Sequence, residues 1–302
     1  MHSASYTEVE VLSPTDLAFG PPHSTWFIAP STLLILLVAT SGCQSVPSAR
    51  SGYLSSYDGL LQPGQMVKKG IYRRRDDASS DAIGSVFIEP AVLAPGLKTE
   101  LSREEQAMVL REVDRQICFE VSERFPIAQE PMPDAGRVRT AVVSLASTSR
   151  TGSAASAAAG FFIPVPMVRF RVPGTTGGVA AESELLTSDG RQAAAVAVRR
   201  KAQVVGRTRP SLSKAGDALQ MAEPLGDAVG ATFASKTRQK IKLGKVDPCG
   251  KFGPRRNVKR SLGNVFVGRA TGLYVPQVAG TGGRDGDDTD PRVQTASEVS
   301  HP

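Results

Sequence analysis

The sequence predicts an α+β fold: an antiparallel sheet of about four strands with two helices packed on one face, followed by a disordered C-terminal tail. Three observations carry this. A capping box at Ser102 opens a long amphipathic helix, an Asp-Gly turn joins two alternating segments, and the segments run in the order β-α-β-β-β-α.

The first strand is read at 83–92, where Ile83, Val86, Phe87, Ile88, Ala91 and Val92 cluster and Pro90 marks the end. Ser102 and Glu105 stand three apart, so each side chain can satisfy the other's backbone N–H. The helix they open runs to Phe125, where Pro126 stops it. Val109, Val113, Ile117 and Val121 step by four along one face, the pattern of a stripe packed on a sheet. A second strand follows at 138–145.

Residues 151–160 are Gly, Ala and Ser and read as a loop or a weak helix. An extended segment at 161–172 is confined to a sheet edge by Pro164 and Pro166. Val179, Ala181, Ser183 and Leu185 then alternate with Ala180, Glu182 and Glu184, which is strand period. Asp189-Gly190 turns the chain, and 193–205 returns beside it. Leu212, Ala215, Leu219, Ala222, Val229 and Phe233 mark the last helix, interrupted at Pro224. After Leu243 the pattern dissolves, so residues 244–302 are expected to be a low-complexity tail that does not join the core.

Composition sets the outer limits. The 302 residues are 40% hydrophobic and include 29 Gly and 21 Pro, enough for one sizeable core but not for a compact chain throughout. No apolar run reaches the ~18–20 residues of a spanning helix, which excludes a polytopic membrane protein. The three histidines are His2, His23 and His301, so imidazole chemistry in the middle of the chain is excluded.

The N-terminus carries an address. Residues 26–39 are mostly apolar and suit a signal-peptide h-region. Thr40-Ser41-Gly42-Cys43 follows and resembles the lipobox of bacterial lipoproteins, with Thr40 where that motif usually has Leu. The resemblance implies cleavage before Cys43, lipidation of its thiol and acylation of the new amino group. Residues 1–42 hold Glu8, Glu10 and Asp16 but no Lys or Arg, where a signal peptide opens with positive charge. A start codon near residue 20 would reconcile the two. Gln44, rather than Asp, after the cysteine favours the outer membrane by the sorting rule of enterobacterial lipoproteins. The domains expected are a signal peptide at 1–42, a lipidated tether at 43–50, an α+β domain at 51–243 and the tail at 244–302.

Ser51-Gly52-Tyr53-Leu54, then Tyr57, Leu60 and Pro63-Gly64, form a block shortly after that cysteine. The block resembles a family of Gram-negative lipoproteins catalogued as domain of unknown function 3313. The resemblance extends over about residues 43–243, implies no catalytic residues, and departs in the last helix, where the family usually has a Trp, whereas this chain's only Trp is Trp26.

The net charge is +7. Lys68, Lys69, Arg73, Arg74 and Arg75 lie close after the tether and are expected to face anionic lipid or peptidoglycan, where each charge adds ~1 kcal/mol. The alternative is a solvated loop. A periplasmic address removes nucleic acid as a ligand for the basic charge. Cys118 lies beside the helical stripe and Cys249 in the tail. Either they pair in an oxidising compartment, or one is a buried thiol and the other exposed.

The search for chemistry returns little. Ser211 and Lys214 match a Ser-x-x-Lys spacing, against which stands Ser211 as the cap of the last helix after Pro210. Residues 285–290 suggest a calcium loop but lack Gly and Glu at the sixth and twelfth positions, so no metal is expected. Glu182 and Glu184 share a strand face and are expected to meet Arg199 diagonally across the hairpin rather than form an acid/base pair. No cofactor is expected. These readings point to an outer-membrane-anchored lipoprotein that binds or scaffolds envelope components such as protein or peptidoglycan. The alternative is an envelope hydrolase built on Ser211 and Lys214 or a carboxylate pair.

Overall fold

The computed structural model describes residues 50–60, 70–162, 169–242, 244, 246–253, 271 and 273–274, with backbone only at 160–162. Packing divides the chain after Pro47, and all of these residues belong to the second unit, Ser48–Pro302. The signal peptide, Cys43, Lys68, Lys69 and the acidic run at 285–290 lie outside the described residues.

The centre is a mixed sheet of seven strands. Four long members form its antiparallel half: β1 (Ile71–Arg75), β8 (Gln192–Lys201), β7 (Gly178–Leu186) and β5 (Gly136–Ala146), side by side in that order. Beyond β5 the pairing turns parallel. β2 (Val86–Ile88) pairs with both β5 and β4 (Ile127–Ala128), and β3 (Val92–Leu93) continues along β5. A separate two-stranded ribbon joins β6 (Arg169–Phe170) to β9 (Val205–Gly206).

Four helices are described: α1 (Asp77–Ala82), α2 (Arg103–Ser122), α3 (Arg150–Phe162) and α4 (Gly216–Phe233). The α2 helix starts at the capping box read from the sequence: Ser102 Oγ accepts from Glu105 N, and Glu105 Oε2 accepts from Ser102 N. Its stripe of Val109, Val113, Ile117 and Val121 is buried in one core with α4 and the inward side chains of the sheet. The α4 helix lies across β1, β7 and β8 and packs along α2.

The α+β expectation holds in its coarse form, and its details are corrected. Seven strands replace about four, three pairings are parallel, and four helices replace two. β1 was unread because Arg73-Arg74-Arg75 shows no apolar alternation. It is an edge strand, where charge is tolerated and discourages further pairing. The weak segment at 150–162 is helical. The last helix starts at Gly216, with Leu212 exposed, and runs unbroken through Pro224. Burial of Leu219, Ala222, Leu225, Val229 and Phe233 outweighs the ~3 kcal/mol an interior proline costs.

The described part of the tail, by contrast with the expectation, joins the core. Cys249 is fully buried and forms a disulfide with Cys118 of α2, 131 residues away. A 3-10 turn at Gly250–Phe252 follows, and Phe252 packs against the core. Tyr274 reaches back, its N–H donating to Pro210 O at 2.8 Å. Local periodicity fails at 243 because a crosslink needs one well-placed residue, not a pattern.

Candidate functional site

Strand alternation gives the sheet two faces. Ala194, Val196 and Val198 of β8 enter the helical core, while Ala195 and Ala197 face the opposite side. That opposite side is covered by residues 50–60. Leu54 and Leu60 bury themselves there with Tyr53, Tyr57 and Tyr72 against the two alanines. A strand with a layer on both sides must keep small side chains where both approach, which explains the run Ala193-Ala194-Ala195.

Glu182 and Glu184 of β7 lie on this covered face with 1% and 0% exposure, low enough that every carboxylate oxygen must find its donors within the protein. Glu182 Oε1 accepts from Ser51 N at 3.2 Å, and Oε2 accepts from Ser51 Oγ and Tyr57 Oη, each at 2.5 Å. Its direct neighbours across the sheet are Ala141 and Ala197, small enough to admit the Tyr57 ring. Glu184 Oε2 accepts from Ser55 N and Gln192 Nε2, both at 2.9 Å. Its Oε1 accepts from Ser55 Oγ at 3.1 Å and from Arg139 Nη1 at 3.2 Å. Arg139 stands directly opposite Glu184 on β5 and also covers the Tyr53 ring at 5.1 Å. Burial pushes the Tyr53 phenol up, with Arg139 opposing.

The two glutamates share a face as read from the alternation, and the ion pair of Glu184 comes from Arg139 rather than Arg199. Arg199 sits opposite Ala180. Seven donors bind the two carboxylates, so the arrangement latches the 51–57 segment to the sheet. Sequence reasoning missed Arg139, Ser51, Ser55 and Gln192. The only available signal was the need of two buried carboxylates for donors, which names a chemistry but no position.

The basic cluster is divided by the same alternation. Arg73 is exposed on the helical side of the edge strand. Arg74 is on the latch side, donating to Gln192 Oε1 at 3.1 Å. Arg75 pairs with Asp77 and donates to the Thr232 and Ala234 carbonyls at 2.9 and 2.6 Å, which caps the C-terminus of α4. The three arginines therefore do not form one patch.

Ser211 is fully buried, and its hydroxyl accepts from Ser213 N at 3.2 Å and donates to Tyr274 O at 3.3 Å. This is a turn-closing role, and the residue at the cap position of α4 is Ala215, without a side-chain cap bond. Lys214 forms no hydrogen bond with Ser211 among the described residues. Among the described residues no group of three or more His, Cys, Asp or Glu is placed to hold a metal, and no helix is long and apolar enough to cross a membrane.

A family described as "Protein of unknown function (DUF3313)" matches residues 49–229. No curated protein matches the chain. Solved structures similar to the chain include two of the PelC dodecamer from Paraburkholderia phytofirmans. A single-substitution variant is 11% identical, covering 53% of this chain and 95% of that one, at a TM-score of 0.31. The other is 10% identical, covering 55% and 98%, also at 0.31.

Proposed function

The chain belongs to the family described as Protein of unknown function (DUF3313), and from that premise we propose that it is a non-enzymatic lipoprotein of the bacterial envelope. In this reading it is anchored at the outer membrane through Cys43 and holds a binding domain in a set orientation. One observation carries the address: the buried Cys118–Cys249 disulfide, a bond that persists in oxidising compartments and is rare in the cytosol. The latch supports the orientation. Ser51 is fastened to Glu182, so only residues 44–50 separate the domain from the lipidated cysteine, a reach of about 25 Å at ~3.3–3.6 Å per residue. Three acyl chains would make that attachment effectively permanent, since two lipid signals already suffice. The two buried carboxylates weigh against the carboxylate-pair hydrolase, because their oxygens already accept seven bonds from this chain's own residues.

Two measurements test this. Metabolic labelling with a palmitate analogue should mark the wild type and not Cys43→Ser, and equal labelling of both would sink the anchor. Protein taken from cells and denatured without reductant should show no maleimide-reactive thiol at Cys118 or Cys249. Quantitative labelling of both would remove the oxidising address.

A further inference from the structure

On the helical side of the sheet, α2, the first half of α4, the end of β8 and the 203–209 connection enclose a groove of about 1030 Å³. That matches the upper range of ligand pockets, roughly 300–1,000 Å³. Four cations on its side of the sheet line it, Arg115, Arg200, Arg207 and Arg209, while alternation along β8 carries the Arg199 and Lys201 side chains to the other face. Among the described residues Glu112 pairs with Arg115, and Asp227 lies near Arg200. Arg207 and Arg209 make no ion pair among the described residues. All four are arginines, whose planar forks suit carboxylate and phosphate oxygens.

A second observation narrows the ligand. Arg115 Nε, Thr208 Oγ1 and Glu112 Oε2 are buried atoms without a hydrogen-bond partner, and all three residues line this groove. Unmade buried bonds of this kind are costly and rare in native proteins. Arg115 Nη2 already pairs with Glu112 Oε1 at 2.6 Å, so what stays open is one Arg115 donor, which an anionic oxygen would answer, and one Glu112 acceptor, which a hydroxyl would answer without changing the charge of the site. One ligand class carries both groups on one scaffold. We propose that the groove binds an anionic saccharide, a sugar chain bearing carboxylate or phosphate groups. The proposal concerns a site distant from the latch and is independent of how the chain is anchored.

The test is calorimetric titration of the full chain in mild detergent, at about 0.15 M salt, where the Debye length is ~8 Å and diffuse surface attraction is weak. The probes are hexagalacturonate, a phosphorylated mannose oligomer, neutral maltohexaose, and a hexaglutamate peptide that carries charge without hydroxyls. At least one of the two anionic sugars should bind, maltohexaose should not, and hexaglutamate should bind about tenfold more weakly. The variant Arg207→Gln/Arg209→Gln should lose about tenfold or more of the sugar affinity, because it removes charge-assisted contacts. Removing two cations elsewhere, in Arg191→Gln/Lys240→Gln, should change it less than about twofold, because screened surface charge contributes little. Failure of both anionic sugars to bind, equal binding of hexaglutamate, or equal loss in the two double variants would each overturn the proposal.

Discussion

Arg171 and Asp217 meet as a bidentate ion pair, with Nη1–Oδ1 and Nη2–Oδ2 each 3.0 Å and neither side chain exposed. Asp217 Oδ2 also accepts from Gly177 N at 2.8 Å, and Arg171 Nη2 also donates to Ser153 Oγ at 3.3 Å. The pair ties the end of β6 to the first turn of α4, where a carboxylate also complements the helix dipole. Removing one partner leaves a buried charge uncompensated, which costs about 3–5 kcal/mol. We expect that loss for Arg171→Met and for Asp217→Leu in denaturant unfolding. The double variant should lose much less than the two single losses added together. Simple additivity would show that the two charges are not coupled.

Gly226 and Gly230 set the distance between α2 and α4. A Cβ at Gly226 would stand 2.8 Å from the carbonyl carbon and oxygen of Gln116, and one at Gly230 would stand 2.7 Å from Glu120 Cβ. The first obstacle is backbone, which cannot swing aside. Alanine would raise helix propensity by about 1 kcal/mol, but overpacking costs about 1–3 kcal/mol, so the clash wins when both sites change. Gly226→Ala/Gly230→Ala should lower the melting temperature by several degrees, at roughly 2–4 °C per kcal/mol for a domain of this size. A higher melting temperature would mean that the helices separate freely.

What the sequence made legible was local. The capping box at Ser102, the four-step stripe of α2 and the Asp189-Gly190 hairpin all stand where they were read, with Gly190 at a φ of 84° that suits glycine. Each is specified within a few residues. The illegible parts are pairings across long distances: Ile71 with Val198, Val92 with Ala141, Ser51 with Glu182, Cys118 with Cys249. A three-arginine edge strand and two-residue parallel strands carry no period to detect. The sharing of one face by Glu182 and Glu184 followed from period two, but five of their seven donors come from a segment about 130 residues earlier.

The latch predicts a local opening. Tyr57 Oη donates to Glu182 Oε2 and accepts from Gly52 N at 2.9 Å. Tyr57→Phe removes these bonds and a longer one from Leu54 N at 3.4 Å, and keeps the ring; a hydrogen bond to a charged group contributes about 1.5–3 kcal/mol. Hydrogen exchange at residues 51–57 should therefore quicken in the variant, while exchange in α2 stays unchanged. Uniformly faster exchange would make Tyr57 part of the global core, and unchanged exchange would show that the serines alone hold the segment.

Glu120 gives the fold a pH dependence on the alkaline side. It lies on α2 facing Asp227 of α4, with Glu123 beside it and Lys240 opposing. Burial first, then the charges of Asp227 and Glu123, push its carboxyl from 4.5 up to about 6. A raised carboxyl binds its proton more tightly in the folded chain than in the unfolded one. Its contribution is therefore fully present below pH about 4.5 and is lost as pH rises through about 6. The group is half-buried at the surface, so screening holds the effect below ~1 kcal/mol, or roughly 2–4 °C. Glu120→Gln keeps the Cβ that contacts Gly230 and removes the titration. Its melting temperature should exceed that of the wild type at pH 7.5, and the difference should close as the pH is lowered to 4.5. A difference that is constant across that range, or that grows toward acid, would show that Glu120 ionises without cost in the folded chain.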